Sequence, residues 1–134
     1  MLGVVLVMHA PLASAVRDCI CHIMGDLPEG VLAIDIPADT PIETSVNRIC
    51  RAVAQVDQGK GVFILTDLFG ATPTNAALRA SLENSQVPTV LVSGCNLPMV
   101  IRALSFRKLE LKEVADKLVM SGRNGIVSTG VSTQ

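Results

Sequence analysis

Two residues that could do chemistry stand at the ends of apolar runs. His9 follows Val4–Met8, and Asp67 comes just after Val62–Leu65. Such runs are typical of strands buried on both faces of a parallel sheet. If the two strands are neighbours, the carboxylate of Asp67 could accept a hydrogen bond from Nδ1–H of His9 and leave Nε2 with its lone pair facing outward. The pair therefore predicts a reactive imidazole. The alternative, a histidine that only ends a strand and takes no part in chemistry, stays open.

The same pair could act either as a nucleophile or as a general base. A hydrolase would also need a nucleophilic serine or cysteine beside the histidine and a matched oxyanion site. No serine stands in a nucleophile elbow, and Cys95 is the only thiol in a predicted loop. The sequence also lacks a Walker loop, a dinucleotide-binding glycine pattern and a histidine–carboxylate metal spacing. We therefore expect no metal, nucleotide or other cofactor.

Both strands lead into predicted helix starts, whose unpaired backbone N–H groups suit an anion. The first helix begins just after Ala10-Pro11, so a phosphoryl group on His9 would meet these donors. The second start lies in Gly70–Asn75, where Thr72 is the expected helix cap before Pro73. Two helix starts facing one histidine predict a phosphate site formed by Ala10, Gly70, Ala71, Thr72 and Thr74.

A third loop, Ser93–Asn96, follows the fourth predicted strand and leads into Leu97-Pro98-Met99. These three residues either only start a helix or line the same pocket and contact a partner protein. The other histidine, His22, lies within the first predicted helix. We expect His22 to have no part in the chemistry.

Strands and helices alternate along the chain, which predicts an α/β fold. Four apolar runs are predicted as strands, at 4–8, 31–36, 62–65 and 87–92. Five segments have helical spacing, at 12–23, 42–56, 72–82, 97–104 and 110–120, the last of them stopped by Gly122. Right-handed crossovers then give one domain, 1–134, with a single doubly wound, mainly parallel sheet of four strands and helices on both faces. A short final strand is expected at 125–127.

The composition narrows the class of protein. The chain has 134 residues, which suits one domain, and 49% of them are hydrophobic, with three Phe and no Trp or Tyr. Eleven scattered Lys and Arg against 12 Asp and Glu make nucleic acid a poor partner. Without an apolar stretch of about 18 residues or a signal peptide, we expect a cytoplasmic protein that does not insert into a membrane. The four cysteines are expected to be buried free thiols.

With these motifs together, the sequence resembles the IIA component of the mannose-type (mannose/fructose/sorbose) sugar phosphotransferase system (PTS). The resemblance covers roughly residues 2–127 and rests on three stretches in order: VLVMHAPLA, LTDLFGATPTNAA and VSGCNLPMVIRAL. It implies a phosphotransferase component in which His9 takes a phosphoryl group on Nε2 from the phosphohistidine of HPr and passes it to a histidine of a IIB component. It also implies a homodimer, in which the last strand near Ile126 is exchanged between subunits.

Two stretches depart from the family pattern. Met8-His9-Ala10 stands where the family usually has Ser-His-Gly, and Gly70-Ala71-Thr72-Pro73 stands where it often has Gly-Gly-Ser-Pro. Methyl groups at glycine positions restrict the backbone that would surround a phosphate.

The sequence leaves open which protein accepts the phosphoryl group from His9. The protein could feed a separately encoded sugar transporter, or it could be a free-standing regulatory IIA whose phosphorylation state is read by other proteins. The related phosphocarrier subunit that serves a dihydroxyacetone kinase shares the early strand and histidine. The stretches CNLPM and FGATPTN favour the sugar-transport branch instead.

Overall fold

The computed structural model describes residues 1–84 and 86–130. In the described chain, strands and helices alternate until two helices follow the last strand. The strands are β1 (Gly3–His9), β2 (Val31–Ile36), β3 (Val62–Thr66) and β4 (Thr89–Val92). The helices are α1 (Leu12–Met24), α2 (Ile42–Val56), α3 (Thr72–Glu83), α4 (Leu97–Ser105) and α5 (Leu111–Asn124).

The four strands form one parallel sheet in the order β2-β1-β3-β4. After β2 the chain crosses to the other side of β1 to form β3, so the strand order reverses between β1 and β3. This reversal is where ligands gather in such sheets. It brings His9, at the end of β1, beside Asp67, which follows β3. The predicted four-stranded parallel α/β fold is confirmed.

The central strand β1 is buried on both faces, which explains its uninterrupted apolar run. Leu6 and Met8 contribute to a core that α1, α4 and α5 cover, whereas Val5 and Val7 contribute to a second core covered by α2 and α3. Because successive strand residues point to opposite faces, each core takes every second side chain of β1. Both cores therefore anchor the strand that ends in His9.

Two predicted element ends differ by two or more residues in the structure, the start of β4 and the end of the last helix. β4 starts after Val87, because the N–H of Val87 donates to the carbonyl of Asn84 in a turn and does not join the sheet. The last helix continues through Gly122 to Asn124. A Cβ added at Gly122 would lie 2.7 Å from Cε of Met99, so this glycine allows α4 and α5 to pack closely and does not end the helix.

Residues 125–127 form no strand in the single chain, so the short final strand expected there is not observed. The side chains of Ile126 and Val127 are instead exposed. A strand formed only by exchange with a second subunit stays a proposal. The expected burial of the cysteines is also wrong: all four thiols are free, but Cys19 is exposed and the others are only partly buried.

Candidate functional site

His9 and Asp67 form the centre of the candidate site. Nδ1 of His9 lies 2.7 Å from Oδ2 of Asp67, and the backbone N–H of His9 donates to the same oxygen at 3.1 Å. The His9 side chain is 50% exposed, whereas that of Asp67 is only 12% exposed. One carboxylate oxygen thus holds both the ring and the backbone of His9, and Nε2 is the ring nitrogen left available.

The ionisation of Asp67 decides which ring nitrogen of His9 carries the proton. Burial raises the pKa of Asp67, but the hydrogen bonds from the side chain and backbone of His9 lower it, and the resulting pKa is below the ordinary value. An ionised carboxylate can only accept hydrogen bonds, so Nδ1 keeps its proton and Nε2 keeps its lone pair. The pair therefore presents a nucleophilic nitrogen at the surface.

Cys95, the loop thiol that could have offered a second nucleophile, is chemically unsuited to that role. Burial, together with the negative charge of Asp67, raises the pKa of the Cys95 thiol to about 12. Because the thiolate is the reactive form, this thiol is inert at neutral pH. The histidine is then the better nucleophile of the two.

The start of α1 is less open to phosphate than the sequence suggests. The N–H of Ala10 donates to the carbonyl of Ile36 at 3.1 Å, which extends the pairing between β1 and β2. The N–H of Ser14 donates to Oδ1 of Asp35 at 3.0 Å, and the Ser14 hydroxyl donates to Oδ2. A carboxylate therefore already binds one N–H of this helix start, that of Ser14, and Ala10 does not have a free N–H for phosphate.

Asp35 is a residue that the sequence reasoning missed. It is the one charged residue in the apolar run of β2, and this interruption was the available signal. Its register partner Met8 lies on the strand that ends in His9. Asp35 thus fixes the first turn of α1 next to the candidate site.

The start of α3 provides the open donors beside His9. Ala71 occupies the cap position, so the prediction that Thr72 caps this helix is wrong, and Thr72 is its first residue. Within the described chain, the N–H groups of Thr72 and Thr74 have no acceptor. Gly70 reaches this start with a φ of +83°, a left-handed conformation that glycine adopts without strain.

His9 and the start of α3 line the same cavity, which has a volume of about 220 Å³. Its described lining consists of His9, Ile36, Pro37, Ala38, Thr72 and Pro73. None of these residues is a lysine or arginine. A phosphoryl group on Nε2 would meet the polar groups of Thr72 without a cationic clamp.

Two other residues that were predicted to lie at the site, Thr74 and Met99, are buried. The Thr74 side chain is fully buried, so its hydroxyl does not face the cavity. Met99 is only 4% exposed, and its N–H donates to the side chain of Asn96, which caps α4. Burial therefore leaves Leu97 and Pro98, both partly exposed, as the two of the three predicted residues that could contact a partner.

No metal centre or membrane span is found in the described residues. No group of three or more His, Cys, Asp or Glu side chains there is placed to hold a metal ion. No helix in that part of the chain combines the length and apolar character needed to cross a bilayer.

The fold and the site define a class, a doubly wound α/β protein with an exposed histidine that a carboxylate holds beside a helix start. A family model described as "PTS system fructose IIA component" matches residues 3–119. The chain belongs to this family of PTS IIA components, which confirms the resemblance found in the sequence.

Individual relatives agree with the family. The fructose-specific EIIA component of Bacillus subtilis strain 168 is 27% identical over 119 residues, covering 88% of this chain and 80% of the relative. The sorbose-specific EIIA component of Lacticaseibacillus casei is 29% identical, covering 87% and 82%. The mannose-specific EIIAB component of Escherichia coli K12 is 30% identical over 73% of this chain, which spans only 30% of that protein.

Solved structures share the fold. The crystal structure of a phosphotransferase system component EIIA from Streptococcus agalactiae superimposes with a TM-score of 0.85 at 28% identity. The superposition covers 96% of this chain and 97% of that one. The four-stranded sheet and its helices are therefore those of a PTS EIIA structure.

Proposed function

We propose that this protein is a phosphocarrier of the sugar phosphotransferase system. His9 accepts a phosphoryl group on Nε2 from the phosphohistidine of HPr and passes it to a histidine of a IIB component. The observation that carries this proposal is the 2.7 Å contact between Nδ1 of His9 and Oδ2 of Asp67, which leaves Nε2 as the free nucleophile.

The transfer exchanges one phosphorus–nitrogen bond for another. The lone pair of Nε2 attacks phosphorus, while the bond to the donor imidazole breaks and its electron pair returns to the donor ring. Nδ1 of His9 keeps its proton, so the phosphorylated ring carries positive charge. The carboxylate of Asp67 stabilises that charge through the bond it already makes to Nδ1.

The surroundings of His9 suit a group that must leave again. Backbone N–H groups at a helix start attract the phosphoryl oxygens with partial charges only. A lysine or arginine in contact would bind the phosphoryl group more tightly. The start of α3 therefore suits a carrier, because it stabilises the phosphohistidine without trapping it.

The proposal also includes the partners and the setting. The Escherichia coli relative is named as an EIIAB component, and this name supports a IIB domain as the acceptor here. We propose that the exchange takes place in the cytoplasm. We also propose that the protein is a homodimer, in which the segment around Ile126 is exchanged between subunits.

Labelling with phosphoenolpyruvate, enzyme I and HPr tests the carrier role. The wild-type protein is expected to take up label through HPr and to lose it when a IIB acceptor is added. H9A should take up none. H22A is the matched control, because His22 lies on the exposed side of α1, and it should label like the wild type.

Two results would contradict the proposal. Equal labelling of the wild type and H9A would place the phosphoryl group elsewhere. Failure to label the wild type, while a control IIA protein is labelled by the same HPr, would remove the phosphocarrier role. A protein that accepts label from HPr but transfers none to IIB would instead be a regulatory IIA.

A further inference from the structure

The hydroxyl of Thr74 joins the two residues that flank Asp67. Oγ1 of Thr74 lies 2.7 Å from Oγ1 of Thr66, the residue before Asp67, and donates to the carbonyl of Leu68, the residue after it, at 2.8 Å. The Ser93 hydroxyl, just after β4, is 3.4 Å away. The Thr66 and Thr74 side chains are fully buried.

The hydrogen-bonding capacity of one hydroxyl matches these contacts. A threonine hydroxyl has one proton to donate and two lone pairs that accept. If Thr74 donates to Leu68, its lone pairs can accept from Thr66 and Ser93. Each of these hydroxyls then has a partner, as a buried polar network requires.

This network connects the two parts of the candidate site. Thr74 belongs to the first turn of α3, whose residues Thr72 and Pro73 line the cavity beside His9, while Thr66 and Leu68 flank Asp67 in the chain. A shift between the helix and the loop would change the contact of Asp67 with His9. The hydroxyl of Thr74 therefore couples the orientation of the imidazole to the position of the helix start.

We propose that Thr74 is a positioning residue for Asp67, and not a phosphate ligand through its side chain. Its part in phosphoryl transfer rests on the function proposed above. Its effect on the imidazole does not, because the tautomer of His9 can be measured in the unphosphorylated protein.

The test compares T74V with T74S. Valine keeps the branched shape of threonine but can neither donate nor accept a hydrogen bond, whereas serine restores the hydroxyl. T74V is expected to label about 10-fold more slowly at saturating HPr, with the same half-saturating HPr concentration, and T74S to label within about 2-fold of wild type. S81A, which loses a hydroxyl farther along α3, should label like the wild type.

Nitrogen-15 NMR of the His9 ring provides a readout that lost stability alone would not move. The wild type and T74S should show a predominant Nδ1–H tautomer at a pH where the ring is neutral. T74V should show a mixture of tautomers while urea denaturation shows that it is still folded.

T66V keeps the test decisive if T74V does not fold. It removes the other hydroxyl of the 2.7 Å pair and is expected to slow labelling about 3-fold. If T74V does fold, the double variant should label no more than about 2-fold more slowly than T74V alone, because the two hydroxyls act together.

Wild-type tautomer populations and labelling rates in T74V, or in T66V if T74V is unfolded, would overturn the assignment. So would a loss that T74S does not restore. An unlabelled wild-type protein whose tautomer still responds to T74V would contradict the phosphocarrier proposal and leave the positioning role supported.

Discussion

At the scale of single residues, the candidate site depends on one carboxylate oxygen. Oδ2 of Asp67 accepts from the ring and from the backbone of His9, so the imidazole is fixed before any partner arrives. Orientation of this kind lowers the entropic cost of reaching an in-line geometry. Substitution of Asp67 should consequently affect the rate of transfer more than the binding of the donor.

D67N is expected to slow phosphorylation of His9 about 10- to 100-fold, the usual effect of losing an orienting partner. The asparagine amide can donate to Nδ1 and thereby favour the wrong tautomer. The initial rate of label uptake from phosphorylated HPr measures the effect. D39N is the control, since Asp39 is an exposed carboxylate in the turn after β2. Equal rates for D67N and the wild type would remove Asp67 from the mechanism.

The lowered pKa of Asp67 also predicts how stability depends on pH. Its stabilising effect is complete above the ordinary carboxyl value of about 3.9 and is lost as the pH falls through the lower pKa of the folded protein. The difference in unfolding free energy between wild type and D67N should therefore shrink below about pH 4. Urea denaturation at pH 6 and pH 3 checks this, and a difference that grows on acidification would contradict it.

The sequence predicted the pairing of His9 with Asp67 because each follows a buried strand. It did not predict which way Thr74 points, since both an exposed and a buried threonine suit the first turn of a helix. Only the packing of α3 against the sheet settles that direction. The N–H of Ala10 is not available to phosphate because it donates to the carbonyl of Ile36. This hydrogen bond likewise depends on how β1 and β2 are aligned.

At the scale of elements, two helix starts near the site have different tasks. Asp35 accepts from the Ser14 N–H in the first turn of α1, whereas the N–H groups of Thr72 and Thr74 in the first turn of α3 have no acceptor among the described residues. The alternation of strands and helices was readable from apolar periodicity. The occupation of one start by a side chain from β2 was not, because it arises from a contact between elements.

D35A is expected to lower the unfolding free energy by about 1–2 kcal/mol, because it removes the partner of the Ser14 N–H and hydroxyl. Urea denaturation measures this loss. D39A, which removes a nearby exposed carboxylate, should change the unfolding free energy by less than about 0.5 kcal/mol. Equal effects of the two substitutions would mean that Asp35 does not stabilise the start of α1.

At the scale of the whole molecule, the sheet leaves β4 at one edge, and the chain after α5 exposes Ile126 and Val127. Apolar side chains this exposed are consistent with the proposed exchange of this segment between subunits. The short stretch Gly125-Ile126-Val127 predicted a final strand here, but a strand needs a neighbour to pair with. In the single chain this segment pairs with none of the described strands.

The double substitution I126D/V127D should convert the proposed dimer to a monomer, because both aspartates would lose their hydration in the interface. Sedimentation velocity of the full chain measures this change. L82D is the matched control, since Leu82 is 81% exposed on α3, and it should leave the dimer intact. A wild-type monomer, or a dimer unaffected by I126D/V127D, would contradict the exchange.

Phosphorylation of His9 on Nε2 is tested by identifying the nitrogen that carries phosphorus. NMR of the phosphorylated, nitrogen-15-labelled protein should show coupling between phosphorus and Nε2 of His9, while Nδ1 stays protonated against Asp67. The signal should be retained in H22A and absent from H9A. Phosphorus on Nδ1 of His9, or on any residue other than His9, would show that Nε2 is not the phosphorylated atom.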